Sequence, residues 1–261
     1  VINLHDHSPI PADSDSLILA MTGGQPMPKR LMVEFPRAAM HMEHKKGRSF
    51  VERFLDRTYK ESLWTHSALH GWLASLHLPY IIDFNRDTQL QSLYVDRQHT
   101  LIVGVARITG RHERFKVYCW DEGRYQAIPQ ENIDPRLPIL FKPLGSPLPT
   151  PCYIASDADY VDYITELMGG FAIPGLIKSQ RQGKRYLMLG MRFTRDTERM
   201  LTRDFIIDAA KPAGWALIKH ATEKEIEYCL RQRLQGLSID CSDLISLLPQ
   251  LMDEAKAQTA E

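Results

Sequence analysis

Short apolar runs alternate with longer segments of helical periodicity along this chain, and this alternation limits the fold more than any other feature. The main apolar runs lie at residues 80–82, 101–106, 139–141, 185–190, 215–218 and 237–240. Short strands that alternate with helices of about ten residues or more are typical of a parallel sheet covered by helices on both faces. We therefore predict an α/β protein with a mainly parallel sheet.

One segment departs from this alternation of strands and helices. Arg114–Trp120 and Arg124–Ile128 flank a short turn that contains Gly123. Glycine suits the positive φ of a tight hairpin turn, so we predict a β-hairpin at about residues 107–135, added at the edge of the sheet. The whole chain, residues 1–261, is predicted to form one domain with a substantial core.

Composition and charge exclude several classes of function. Lys and Arg together number 32 and equal Asp and Glu, so no overall field favours nucleic acid or an anionic membrane. No apolar run approaches the length of a membrane span. The four cysteines form no CxxC pair, so neither zinc nor another metal site is expected. Scattered cysteines without a signal peptide indicate a cytoplasmic protein.

Polar residues follow the apolar run at Tyr80–Ile82. They are Asp83, Asn85 and Asp87. In open α/β sheets, ligands bind beyond the carboxyl ends of strands, where such side chains can bond ribose hydroxyls or hold a water. Asn85 and Asp87 can equally cap the following helix, and the two roles are compatible.

A second strand end lies within Leu137–Leu167. Ile139–Phe141 predicts a buried strand, and the turn that follows contains Gly145 and several prolines, which stop both strand and helix. An acidic helix start comes at residues 156–159. On its own composition, this stretch is better explained as a proline-rich connection that binds nothing.

Three strand-end motifs occur in one order between about Ala12 and Asp240. They are Ile82-x-x-Asn85-x-Asp87, Phe141-Lys142-Pro143-Leu144-Gly145-Ser146 followed by Asp159-Tyr160, and Tyr186-Leu187-Met188-Leu189-Gly190 followed by Asp196 and Arg199. This set resembles the sirtuin-like, NAD-dependent deacylase family in its bacterial zinc-free branch. That family carries TxNxD, K-L-H-G-S with a D-Y helix, and L-x-x-G-x-S-x-x-D motifs. The resemblance implies a Rossmann-like three-layer α/β/α fold that binds NAD and needs no zinc.

The resemblance also assigns roles to individual positions. Asn85 and Asp87 match the positions that face the nicotinamide ribose, and they are the predicted catalytic residues. Gly145 matches the glycine after the catalytic histidine, and Gly190 matches a glycine on the adenosine side. The full set of predicted NAD-binding residues is Asp83, Asn85, Asp87, Gly145, Gly190, Arg192 and Thr194.

The sequence departs from the family pattern in three places. Leu144 stands where the family has its histidine base, and loss of a general base slows a reaction by about 10²–10⁴-fold. Asp83 replaces a threonine, and its charge would repel a diphosphate unless it pairs, for example with Arg86 or Arg107. The glycine-rich phosphate loop of the family should lie at or before Val1, and without it we expect weak NAD affinity.

Three functions follow from these observations. The first is a regulatory or sensory protein that binds NAD or an ADP-ribose-type nucleotide and lacks ordinary deacylase activity. The second is an interaction or structural protein that has lost nucleotide binding and acts through a protein partner or as a homo-oligomer. The third is an enzyme that cleaves NAD or transfers ADP-ribose, using Asn85 with Asp83 or Asp87. The sequence alone leaves open whether the chain is an enzyme.

Overall fold

The structure is a computed structural model and describes residues 10–11, 13–61, 66–108 and 113–258. These residues form eleven α-helices and ten β-strands, so the predicted mixed α/β class is confirmed. The chain divides into two compact units between Lys178 and Ser179. The assignment of residues 1–261 to one domain and the Rossmann-like three-layer arrangement both stay predictions.

The first unit contains the first eight α-helices of the described chain. They are α1 (Ser14–Met21), α2 (Lys29–Met32), α3 (Phe35–Lys46), α4 (Arg48–Asp56), α5 (Ala68–Ser75), α6 (Gln89–Ser92), α7 (Asp157–Met168) and α8 (Gly175–Gln180), which spans the division. Side-chain capping fixes the starts of some of them: the Asp13 carboxylate accepts from Ser16 N at 2.9 Å, and Ser156 with Asp159 forms a capping box at α7. Among the described helices, none is both long and apolar enough to cross a membrane.

A five-stranded mixed sheet crosses the first unit. Its strands are β1 (Tyr80–Ile82), β2 (His99–Gly104), β3 (Phe115–Asp121), β4 (Arg124–Ile128) and β5 (Ile139–Lys142), in the spatial order β1-β5-β2-β3-β4. The strands β1, β5 and β2 are mutually parallel, whereas β3 and β4 are antiparallel. Parallel pairing places the carboxyl ends of β1, β5 and β2 on the same edge of the sheet.

The predicted hairpin is confirmed as β3 and β4. The two strands pair through Asp121 and Arg124, which leaves Glu122 and Gly123 as a two-residue turn. Both turn residues have positive φ, at 50° and 78°, as the twist of a tight hairpin requires. The hairpin adds two strands to the sheet next to β2. β1 and β5 lie on the opposite side of β2 from the hairpin.

Two apolar clusters hold the first unit together. One joins α1, α3 and α4, with Ile18, Ala38 and Leu55 fully buried. The other packs α5 and α6 on the sheet, around Tyr94 and Leu101. Burial of such side chains stabilises a fold by about 1.5–3 kcal/mol each. One cluster therefore holds the helices α1, α3 and α4 together, and the other holds α5 and α6 on the sheet.

The second unit is a separate three-stranded parallel sheet. Its elements are β8 (Tyr186–Met188), α9 (Asp196–Phe205), β9 (Gly214–Leu217), α10 (Glu223–Gln232), β10 (Leu234–Leu237) and α11 (Cys241–Gln258), with strand order β10-β9-β8. The prediction of a strand at residues 237–240 is wrong by three residues. Arg233 ends α10 in the left-handed conformation, so the strand begins at the next residue.

Candidate functional site

The ends of β1 and β5 bring two distant segments together. Asp83 follows β1, and its backbone N–H donates to the Phe141 carbonyl of β5 at 2.7 Å. Lys142 is the last residue of β5. Because the two strands are parallel and in register, the Lys142 ammonium meets the Asp83 carboxylate, with Nζ 2.6 Å from Oδ2.

This ion pair is removed from water. The Lys142 side chain is 1% exposed and that of Asp83 is 10% exposed. The second oxygen of Asp83 accepts from the backbone N–H of Asn85 at 2.9 Å and from the Asn85 amide at 3.0 Å. A buried carboxylate needs such partners, because an unpaired buried charge is strongly unfavourable. Asp83, Asn85 and Lys142 therefore form one preorganised cluster.

The predicted partners of Asp83 were wrong. Arg86 donates to the Ile154 carbonyl at 2.6 Å and to the Tyr160 hydroxyl at 3.1 Å. Arg107 pairs instead with carboxylates at the start of α7 and on α3. Lys142 neutralises Asp83. Lys142 itself stands out in the sequence as the one charged residue at the end of an apolar strand, but nothing in the sequence identifies its partner.

Asp87 lies beside this cluster and is 1% exposed. Its Oδ1 accepts from the backbone N–H of Gln89, the first residue of α6, at 2.8 Å. The N-cap residue of α6 is Thr88, without a side-chain capping bond, so the predicted capping by Asn85 and Asp87 is not what the structure shows. Its Oδ2 is buried and has no hydrogen-bond partner. Burial raises the pKa of Asp87, and the nearby Asp83 adds to this effect while Lys142 opposes it. Asp87 therefore binds a proton more readily than an ordinary aspartate.

His70 of α5 adds a neutral base to the same surroundings. It is buried, and its Nδ1 lies 3.3 Å from the Ser67 backbone nitrogen and 3.0 Å from the Ser67 hydroxyl in the capping box of α5. Burial lowers the pKa of His70 to about 4, although the Asp83 charge acts in the opposite direction. At neutral pH the imidazole is therefore uncharged. No sequence motif marks this residue as part of the site.

Gly145 has a structural role. It forms β6 (Gly145–Ser146), which pairs with β7 (Cys152–Tyr153). Its φ is 95°, and a Cβ at this position would lie 2.1 Å from the Cys152 carbonyl oxygen. The preceding Leu144 is buried, and its carbonyl accepts from Ile154 N at 3.1 Å. The chain thus offers no proton acceptor where the resemblance implies a histidine.

The predicted residues Gly190, Arg192 and Thr194 belong to the second unit. Gly190 follows β8 with a φ of 65°, and Thr194 is exposed. The Arg192 guanidinium lies 2.8 Å from the Glu225 carboxylate, which closes the capping box at the start of α10. Arg192 thus has a structural partner within its own unit. The nucleotide-binding role of these three residues stays a prediction.

Asp159, the acidic residue of the D-Y motif, also has a structural role. Its fully buried carboxylate lies 2.6 Å from Arg48 and 2.8 Å from Arg107. It also accepts from the backbone N–H groups of Ala155 and Ser156 at 2.9 and 3.0 Å. These contacts fix the start of α7 and link it to Arg48 of α4 and to Arg107, which follows β2. The motif is therefore explained without a ligand.

In the part of the chain that the structure describes, no group of three or more His, Cys, Asp or Glu side chains is placed to hold a metal ion. No family model matches the chain, and no curated protein sequence matches it significantly. The resemblance to the sirtuin-like family therefore rests on the three strand-end motifs alone.

Proposed function

We propose that this chain binds NAD or an ADP-ribose-type nucleotide at the carboxyl ends of β1 and β5, and that it acts as a regulatory or sensory protein without ordinary deacylase activity. The observation that carries the proposal is the cluster of Asp83, Asn85 and Lys142 on that edge, with the buried Asp87 beside it. Ligands of open α/β sheets bind at such strand ends.

The chemistry of the cluster suits a nucleotide ribose. Ribose hydroxyls donate to carboxylates, and Asp87 has a buried oxygen without a partner that would gain from such a donor. Asp83 would repel a diphosphate if it were unpaired, and its contact with Lys142 removes that repulsion. Asp83, Asn85 and Asp87 are therefore the residues that would hold the sugar.

The absence of deacylase activity follows from Leu144. Deacylation by the family needs a histidine base at this position, and a leucine side chain can neither accept a proton nor bond a hydroxyl. We therefore propose that the chain binds the nucleotide but does not catalyse the deacylation that is usual for the family.

The test has two arms on the full chain. NAD and ADP-ribose at millimolar concentration should raise the melting temperature, because a ligand that binds only the folded state stabilises it. An acyl-lysine peptide with NAD should show no turnover. No thermal shift with either nucleotide would contradict the proposal and favour an interaction protein that has lost nucleotide binding.

Asp87 supports a second candidate, the cleavage of NAD. Its unpartnered Oδ2 and raised pKa suit a group that takes a proton from an attacking water. In this step, water adds to the ribose carbon while the glycosidic bond breaks and nicotinamide leaves with the bonding electrons. The products are ADP-ribose, nicotinamide and a proton.

Nicotinamide release by purified protein tests this candidate. Asp87→Asn should slow the release by about 10²–10⁴-fold, as is usual for loss of a general base. Asn85→Ala should slow it as well, since this residue orients Asp83 in the same cluster. Equal release by the wild-type protein and by both variants would overturn the assignment.

A further inference from the structure

The side chain of Asp87 is enclosed, and only one of its two oxygens has a partner. Asp87 is 1% exposed, and its Oδ1 accepts from the Gln89 backbone N–H at 2.8 Å. Its Oδ2 is buried and makes no hydrogen bond within the described part of the chain. Buried polar atoms of folded proteins nearly always have a hydrogen-bond partner, so this oxygen calls for a donor that the described residues do not supply.

Two carboxylates share one cation at this strand end. The Lys142 ammonium lies 2.6 Å from Asp83 Oδ2, and among the described residues none forms an ion pair with Asp87. Loss of contact with water and a second negative charge nearby both disfavour ionisation of a carboxyl group. Burial raises the pKa of Asp87, while Lys142 opposes this rise and Asp83 adds to it. The free protein therefore holds a proton on Asp87 more readily than on an ordinary aspartate.

The other titratable groups near Asp87 are uncharged or directed elsewhere. Burial lowers the pKa of His70 to about 4, so this imidazole is neutral at neutral pH. Tyr59 is neutral as well, because burial raises its pKa. The Arg86 guanidinium donates to a backbone carbonyl and to the hydroxyl of Tyr160, both on other segments of the chain. Asp87 is therefore the group of this neighbourhood whose protonation a ligand would change.

We propose that binding of a ribose hydroxyl to Asp87 releases the proton of this side chain, so that the site holds its nucleotide less tightly as the pH falls. This inference rests on the proposed nucleotide site. The hydroxyl donates to Oδ2 and keeps its own hydrogen, and the proton of Asp87 passes to the solvent. The ionised carboxylate is the better acceptor, because a hydrogen bond to a charged group is about twice as strong as a neutral one.

The sign of the effect follows from linkage between the two events. The ligand stabilises the charged form of Asp87, so the pKa of this group is lower in the complex than in the free protein. The affinity is complete above the pKa of the free protein, and it falls by at most about tenfold per pH unit below it.

Calorimetric titration of the full chain with ADP-ribose at about pH 5 and about pH 8 tests the proposal. At each pH, two buffers with different heats of ionisation give the number of protons released. The wild-type protein should bind more weakly at the lower pH and release a larger fraction of a proton there. Proton uptake, or equal affinity without proton exchange at both pH values, would overturn the proposal. Melting curves at the lower pH show that the protein titrated there is folded.

Asp87→Asn separates this group from all others. Its amide oxygen can still accept from Gln89 N, but the side chain no longer titrates. We expect it to bind at least about tenfold more weakly at the higher pH and to release no proton. Asp96→Asn is the matched control, because Asp96 is exposed, and it should behave as the wild-type protein does.

The outcomes separate this inference from the nucleotide site itself. If Asp87→Asn released as many protons as the wild-type protein, the proton would come from another group and the inference would be wrong. Binding without any proton release would overturn the inference and leave the nucleotide site standing. The absence of binding heat at both pH values would overturn both.

Discussion

Each unit of the molecule places a lysine and an aspartate near the end of its central parallel strand, but in different surroundings. Lys142, at the end of β5, and Asp83, just after the neighbouring β1, are 1% and 10% exposed. Lys219, just beyond β9, contacts Asp240 and Asp243 at 3.4 and 2.9 Å, and these three side chains are 43%, 45% and 34% exposed. Both sets pair a lysine ammonium with aspartate carboxylates, and they differ strongly in their contact with water.

The difference decides which strand end is a candidate site. An exposed lysine–aspartate pair contributes at most about 1 kcal/mol, because water and salt screen it. A buried pair is strongly coupled to its neighbours, and it keeps an aspartate and a lysine in fixed positions away from water. Burial of the ion pair at the strand end, rather than the sequence motif, therefore distinguishes the first unit from the second.

Lys142→Met should have the largest effect on stability. It leaves the Asp83 carboxylate without its cation beside a second buried aspartate, which we expect to lower the free energy of unfolding by about 2–4 kcal/mol. Lys219→Met is the matched variant and should lower it little, because water and salt screen the exposed pair. Urea denaturation measures both, and equal losses would show that the two pairs do not differ as burial implies.

Gly145→Ala should come next. The added Cβ would meet the Cys152 carbonyl oxygen at 2.1 Å and would require a positive φ, so we expect a loss of at least about 2 kcal/mol. Gly236 of the second unit has open space around it and no positive φ, so Gly236→Ala should change stability little. A mild Gly145→Ala phenotype in thermal unfolding would mean that the β6–β7 pairing is loose.

The decrease in the free energy of unfolding at acidic pH should show a smaller effect, which His70 causes. Because its folded pKa is about 4 against 6.5 for a free histidine, the unfolded chain binds the proton first as the pH falls. Stability that is present above pH 6.5 is then lost, by about 1–2 kcal/mol on acidification to about pH 5.

His70→Gln should remove this loss, because glutamine can keep the capping box but does not titrate. The measurement is urea denaturation at both pH values for the wild-type protein and the variant, which cancels the contributions of all other groups. His220→Gln in the second unit is the control, since His220 is exposed. If His70→Gln lost as much stability on acidification as the wild-type protein, the pH dependence would come from a group other than His70.

The elements with local signals could be predicted from the sequence. The apolar run at Ile139–Phe141 predicted β5, and Ser156 with the following acidic residues predicted the start of α7. The Lys142–Asp83 pair could not be predicted, because its partners are 59 residues apart and meet only through strand register. The β6–β7 pairing was hidden in a proline-rich segment that also suits a plain connection. Arg233 was missed because a left-handed arginine has no sequence signature.

The proposed nucleotide site can be tested most directly by isothermal titration of the full chain with ADP-ribose. The wild-type protein should give saturable heat, and Asn85→Ala should bind about two- to tenfold more weakly, because one hydrogen bond contributes about 0.5–1.5 kcal/mol. Lys219→Met should bind as the wild-type protein does, since it alters only the exposed pair of the second unit. No saturable heat in the wild-type protein, or equal affinity in Asn85→Ala, would contradict a nucleotide site at the ends of β1 and β5.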